Sequence, residues 1–220
     1  MRDEAAASAR VCKLLINPGS ARLIRLSYSA KLAARRGHLG TSYSQRAPGS
    51  SERAIGALTS DLRGRVIRPP DGDYDAARKV HNAAIDRRPA LIVRCADAAD
   101  VIKCVNFARE EGLPPAVRCG GHSLPGLSTC DDGILIDLSG MKNIGIDPER
   151  RVARAGGGCT WADFDRAAHT FGLATPGGVV STTGVAGLTL GGGFGHLSGP
   201  FAAAAGTSGW SPRSSSSFTR

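Results

Sequence analysis

The chain lacks any long hydrophobic run: nothing in its 220 residues approaches the roughly 18 consecutive apolar positions a helix needs to cross a bilayer. Its six cysteines (Cys12, Cys95, Cys104, Cys119, Cys130, Cys159) include no C-x-x-C pair, which excludes a zinc ribbon. The opening stretch "MRDEAAASARVCKLLINPGS" sets acids beside its first arginine and breaks its apolar run with Lys13, a poor match to a secretory signal. Without such a signal a disulfide framework is not expected in a chain of this size, so the thiols read as reduced and as small apolar fillers, and the expected location is the cytoplasm.

Aromatic residues are also scarce, at 5%. The formal charge of +9 would suit a nucleic acid, but it is unevenly placed: residues 1–53 carry 10 Lys+Arg against 3 Asp+Glu, and the other 167 residues carry 18 against 16. That basic arm has only Tyr28 and Tyr43 to stack on bases, so its phosphate attraction alone would give low, salt-sensitive affinity, and nucleic-acid binding is not expected. The chain has no G-x-x-x-x-G-K-[ST], no G-x-S-x-G and no H-E-x-x-H; Gly191 and Gly193 are followed by His196 where a Rossmann fingerprint needs its third glycine.

What is abundant is glycine, 29 in all, crowded into the second half. The first 53 residues show no sustained period of 2 or 3.6 and read as a poorly ordered arm. Residues 54–88 read as lead-in helices and turns, with a short helical pattern over Ala54–Leu62 and another from about Tyr74 to Ile85. Order is clearer from "ALIVRC" (90–95), a β-branched run suited to a buried strand. Asp97 then sits as an N-cap, Ala98, Val101, Ile102, Val105 and Ala108 recur on one helical face, and Gly112 with Pro114 ends the helix. "PAVRC" (115–119) completes a βαβ unit.

"GILIDL" (133–138) is a further strand, and "NIGIDPERRVARAGGG" two more around the turn at 147–150. Thr160 and Asp163 cap a helix whose stripe is Phe164, Ala167, Ala168 and Phe171, stopped by Gly172. Trp161 and Phe164 therefore read as core. From Gly177 to Gly195 eight glycines deny regular structure to most of the segment. Asp131 and Asp132 form a turn, with no partner for paired-carboxylate chemistry, and His196 reads as structural.

Two glycine-rich segments, 118–126 and 176–195, thus flank a small α+β body. Successive glycines let backbone amides turn toward one point, and such concave rows of N–H groups bind anions, phosphates above all. A diphosphate would need two of them, with Arg118 adjacent to offset charge. His122, in the first loop, could bind metal, act as a base or serve as a nucleophile; the remaining histidines (His38, His81, His169, His196) share no ligand spacing with it.

From about Pro89 to Ser198, "VRCGGHSLPGLSTCDDGILIDLSGMKNI", "ARAGGGCTWADFD" and "GLATPGGVVSTTGVAGLTLGGGFGHLS" resemble, in content and order, the PCMH-type FAD-binding domain of the vanillyl-alcohol oxidase and berberine-bridge-enzyme type. The resemblance implies an α+β PCMH-type domain, a βαβ unit plus a mixed sheet, and an FAD-dependent oxidoreductase that takes a hydride from an alcohol- or sugar-like carbon and is reoxidised by dioxygen or another acceptor. It implies FAD bonded through its 8α-methyl to His122. It also implies that Arg118, Cys119, Gly120, Gly121 and Ser123 from the first loop contact the cofactor. From the second loop it implies Gly177, Gly178, Thr182, Thr183, Gly184, Gly187, Gly191, Gly192 and Gly193.

Two departures bear on that expectation. Cys119 stands where the family usually has the first of three glycines, and its Cβ would cost about 1–2 kcal/mol if the backbone there were left-handed. Val180 stands where some relatives carry a second, cysteinyl attachment, so a single histidyl link is implied; Cys159 lies in another motif. Beyond Ser198, "GPFAAAAGTSGWSPRSSSSFTR" (199–220) matches nothing in the family and has the composition of a disordered tail. The expectation is an incomplete member, domain 89–198 with a loose N-terminal arm and no substrate domain. A non-catalytic or unstable FAD-binding fragment is one alternative, and weak nucleic-acid binding through the basic N-terminal arm is the other.

Overall fold

The computed structural model describes residues 25–27 and 51–197. In chain order the elements are β1 (Arg25–Ser27), α1 (Glu52–Asp61), β2 (Arg65–Ile67), α2 (Tyr74–Arg78), β3 (Leu91–Arg94), α3 (Ala98–Glu111), β4 (Pro115–Arg118), β5 (Ile134–Asp137), β6 (Ile144–Asp147), β7 (Val152–Ala155), α4 (Trp161–His169) and α5 (Val185–Gly191). The rest of the expected arm, Ser198 and the expected tail, 199–220, lie outside the described residues. Within the arm, β1 is a strand that the aperiodic sequence did not suggest; it pairs in parallel with β7.

β3 and β5 are apolar, β-branched runs, and they form the centre of a four-stranded sheet of order β2-β3-β5-β4, with β4 at one edge. β3, β5 and β4 run parallel and β2 closes one edge antiparallel. The two strands of the expected βαβ unit are therefore not neighbours: β5 lies between them, so its residues Ile134–Asp137 are all buried. Leu91, Val93, Ile134 and Ile136 face one core with Cys104 and Phe107 of α3, while Ile67, Ile92, Ala116 and Leu135 face another with Tyr74 and Ala77 of α2. This alternation is the period-2 side-chain geometry of strands packed on both faces.

α3 begins and ends where the sequence indicates. Asp97 accepts from the amides of Ala99 and Asp100, and Gly112 closes the helix at φ 68°. Its buried face is only partly the expected one: Ala108 is buried and Val101 packs against the core. Ile102 is 59% exposed and Val105 is also exposed, while Asp100, Cys104, Phe107 and Ala108 point inward. The cause is a buried carboxylate: Asp100 accepts from the backbone amides of Arg63, Gly64 and Ala96 at 2.8–3.0 Å and so fastens the α1–β2 turn to the helix. The helical piece from Tyr74 stops at Arg78, well short of Ile85, and β2 occupies residues that had read as turns.

β6 and β7 form an antiparallel hairpin, β1 adding a third strand, and α4 packs over it. Thr160 and Asp163 make the reciprocal capping box. Trp161 and Phe164 are buried edge-to-face, centroids 5.6 Å apart, in a core with Ala153, Cys159, Ala168, Leu173 and Val185. Phe171, expected in the stripe, lies beyond the end of the helix and is 44% exposed.

Candidate functional site at the crossing of two glycine loops

The first loop leaves the C-terminal end of β4, the second crosses over it, and three segments meet at one carbonyl. Cys159 O accepts from the amide of Val185 at 2.9 Å and from Sγ of Cys119 at 3.4 Å. The second loop is fastened to the start of α4, where the otherwise unpaired amides of Trp161 and Ala162 donate to Thr183 O and Ser181 O. It also contains α5, a short helix that the glycine count did not suggest.

Glycine is required where the loops touch. A Cβ on Gly120 would stand 2.5 Å from Gly184 N and 2.6 Å from Thr182 O, and one on Gly184 would stand 2.5 Å from Cys119 Sγ. The left-handed residues of the first loop are both glycines, Gly121 at φ 70° and Gly126 at φ 75°. Cys119 is not left-handed, so it takes the place of a glycine without that strain. Burial pushes its thiol up to about 11, and it stands as a neutral thiol in the wall.

His122 lies at this crossing. Its Nε2 is 2.8 Å from Oγ1 of Thr182 on the opposite loop, and its ring stacks on that of His81, centroids 3.9 Å apart and 17° from parallel. Burial and then the neighbouring His81 hold its pKa below the ordinary histidine value, which favours the neutral imidazole. A cavity of about 570 Å³ opens beside it, within the range of ligand sites. Cys119, Gly120, Gly121, His122 and Ser123 line one side; Thr183, Gly184, Gly187, Gly191 and Gly192 line the other. A second space of about 360 Å³ adjoins it, lined by Thr182, His81, Arg118 and His122 among others.

The cavity wall has unspent hydrogen-bonding capacity. The amides of Gly121, His122 and Ser123 have no protein acceptor among the described residues. Ser128, which also lines the cavity, has a buried hydroxyl with no partner among the described residues. Such groups fit an anionic or polar ligand and are costly without one.

Three of the residues expected at the cofactor stand outside the lining of this cavity. Gly177, Gly178 and Gly193 are not in this wall: a Cβ on either of the first two would press on the indole of Trp161 at 2.6–2.8 Å, and one on Gly193 would meet Leu188. Their role is to let the second loop lie flat on the core. Arg118 is at the site, yet its guanidinium is engaged, donating to Asp137 Oδ2 at 2.8 Å and to Lys79 O at 2.9 Å. Asp137 is fully buried; burial raises its pKa, and the hydrogen bond and charge of Arg118, with Ser139, outweigh that and hold it below the usual carboxylate range. Arg118 is thus a buried strut under the first loop. His81 is the residue the sequence reading missed, because it belongs to no motif and reaches the site through a turn 41 positions before His122.

A parallel sheet with a glycine loop and a histidine at its C-terminal edge, crossed by a second glycine loop, defines a flavin-binding domain of the PCMH and berberine-bridge type. The chain belongs to that family: residues 89–207 match the model described as "FAD binding domain". It is 41% identical over 141 residues to (R)-6-hydroxynicotine oxidase of Paenarthrobacter nicotinovorans, covering 64% of this chain and 31% of that protein. It is likewise 41% identical over 145 residues to an FAD-linked oxidoreductase of Dictyostelium discoideum, covering 66% and 32%. Among solved structures, 6-hydroxy-D-nicotine oxidase from Arthrobacter nicotinovorans superimposes with TM-score 0.64 at 40% identity over 65% of this chain and 32% of that one. The berberine-bridge-enzyme-like protein 1 of Physcomitrella patens does so with TM-score 0.62 at 26% identity, over 68% and 33%. The chain spans about a third of the length of these relatives. Among the described residues no helix is long and apolar enough to cross a membrane.

Proposed function

We propose that this chain binds FAD in the cavity between the two glycine loops, tethered through a single bond at His122, as the cofactor-binding part of an oxidoreductase acting on a small alcohol- or sugar-like substrate. The observation that carries the reading is His122 itself, a ring fixed between His81 and Thr182 at the rim of a cavity whose facing amides and Ser128 hydroxyl lack partners among the described residues. Gly121, His122 and Ser123 supply amides for the diphosphate, Gly120 and Gly184 keep the two loops in register, and the Arg118–Asp137 pair holds the first loop on β4. When bound, the flavin supplies the redox chemistry by accepting a hydride, and the protein's part is to bind and orient it.

The test is to incubate the purified chain with FAD, remove free flavin, and record absorbance near ~450 nm before and after acid precipitation. The expected result is a yellow protein whose colour stays with the pellet, and a His122→Ala variant that binds flavin but releases it into the acid supernatant. Flavin lost entirely to the supernatant by the wild type would refute the tether; a protein that binds none would refute the cofactor site.

A further inference from the structure

We propose that His81 is a positioning residue for His122: stacked on its ring, and acting with Thr182, it holds the imidazole in the one orientation from which it bonds to FAD. The inference rests on the tether reading above and adds a residue that lies outside the matched segment 89–207.

The segment carrying His81 is built against the loop. Its amide donates to Gly121 O at 3.1 Å, and the Nδ2 of the next residue, Asn82, lies 3.4 Å from Leu124 O. The backbone of Val80 and His81 also lies 3.6–3.7 Å from where a Cβ of Gly121 would stand, so a side chain on the loop would contact it. These contacts fix where the His81 ring begins, and the stack at 3.9 Å follows from them. Thr182 engages Nε2 from the opposite side, which leaves Nδ1 as the ring nitrogen for the bond. An imidazole has two χ angles and would otherwise sample several rotamers; contact on one face and one edge removes that freedom before the ligand arrives.

The reaction being assisted balances as follows. His122 gives a ring-nitrogen lone pair to the 8α carbon and an N–C bond forms; the proton of that ring and one proton of the methyl leave with two electrons, which pass to dioxygen as hydrogen peroxide. A neutral imidazole is required, and both burial and the neighbouring His81 favour it.

The experiment follows the rate at which full-length wild type, His81→Ala and His81→Phe convert added FAD into acid-precipitable flavin, with total bound flavin measured in parallel. His81→Ala is expected to bind flavin as the wild type does while capturing it covalently roughly two- to tenfold more slowly, the ratio a stacked pair of rings is worth. His81→Phe, which keeps a flat ring, is expected to restore most of the rate. Capture by His81→Ala at the wild-type rate, or an equal loss of total binding and covalent capture, would overturn the proposal while leaving the tether standing. A wild type with no covalent flavin would overturn both, and would show it before any His81 variant is compared.

Discussion

Replacing Gly120 with alanine tests the crossing of the two loops at its narrowest point. The new Cβ would meet Gly184 N at 2.5 Å and Thr182 O at 2.6 Å, and both are backbone atoms that no side-chain rotation can move away. Restoring an ordinary 3.4 Å contact requires the loops to part by about 0.9 Å. Overpacking of this kind costs about 1–3 kcal/mol, and for a domain of this size each kcal/mol lowers Tm by roughly 2–4 °C. Opening the loops also displaces Thr182 from His122, so FAD affinity should fall on the order of tenfold or more. Thermal unfolding followed by circular dichroism, with flavin titration of the same sample, reads both effects. Gly56→Ala is the control: its Cβ meets no atom within 4 Å, and alanine there, within α1 and away from the cavity, should leave flavin affinity unchanged and Tm unchanged or raised. A Gly120→Ala protein with the Tm and flavin affinity of the wild type would refute the contact between the loops.

Asp137→Asn should cost about 3–5 kcal/mol in urea unfolding, because it leaves the buried Arg118 guanidinium without its counter-charge. Asp137 and Asp163 both titrate below the usual carboxylate range in the folded chain, Asp163 at about 2. A depressed folded pKa contributes stability above the unfolded value, near ~4, that is lost as pH falls through the folded one, so an acid titration should show stability declining from about pH 5 toward about pH 2. Trp161→Ala should remove about 3–5 kcal/mol and loosen Gly177 and Gly178, which rest on the indole, as an increase in their amide exchange would report. Thr160→Ala breaks the capping box of α4 and should cost about 1 kcal/mol by the same unfolding assay.

Strong local signals carried much of this into the sequence. The caps at Asp97 and Thr160, the stops at Gly112 and Gly172, and the apolar runs that became β3, β4 and β5 are all decided by neighbours in the chain. Tertiary contacts decided the rest. Asp100 sits on the buried face of α3 because the distant amides of Arg63 and Gly64, with that of nearby Ala96, satisfy it, and no hydrophobic pattern marks a buried carboxylate. β1 exists through its pairing with β7 across more than a hundred residues, and three residues carry no periodicity. At the site, His122 was legible because glycines surround it. Arg118 was legible as a cation, but its partner Asp137 read only as the end of a strand. Gly177, Gly178 and Gly193 belong to the glycine-rich pattern, and in the fold their neighbours are Trp161 and Leu188, which no local signal marks. His81 had no signal at all, since only the fold brings it against His122.

The most direct test of the central claim is mass spectrometry of the tryptic peptide Cys119–Lys142, which contains His122, from chain incubated with FAD. The account predicts that this peptide carries the mass of one FAD less two hydrogens, with fragmentation placing it on His122. An unmodified peptide from protein that has bound flavin, or the added mass on any other residue, would contradict it.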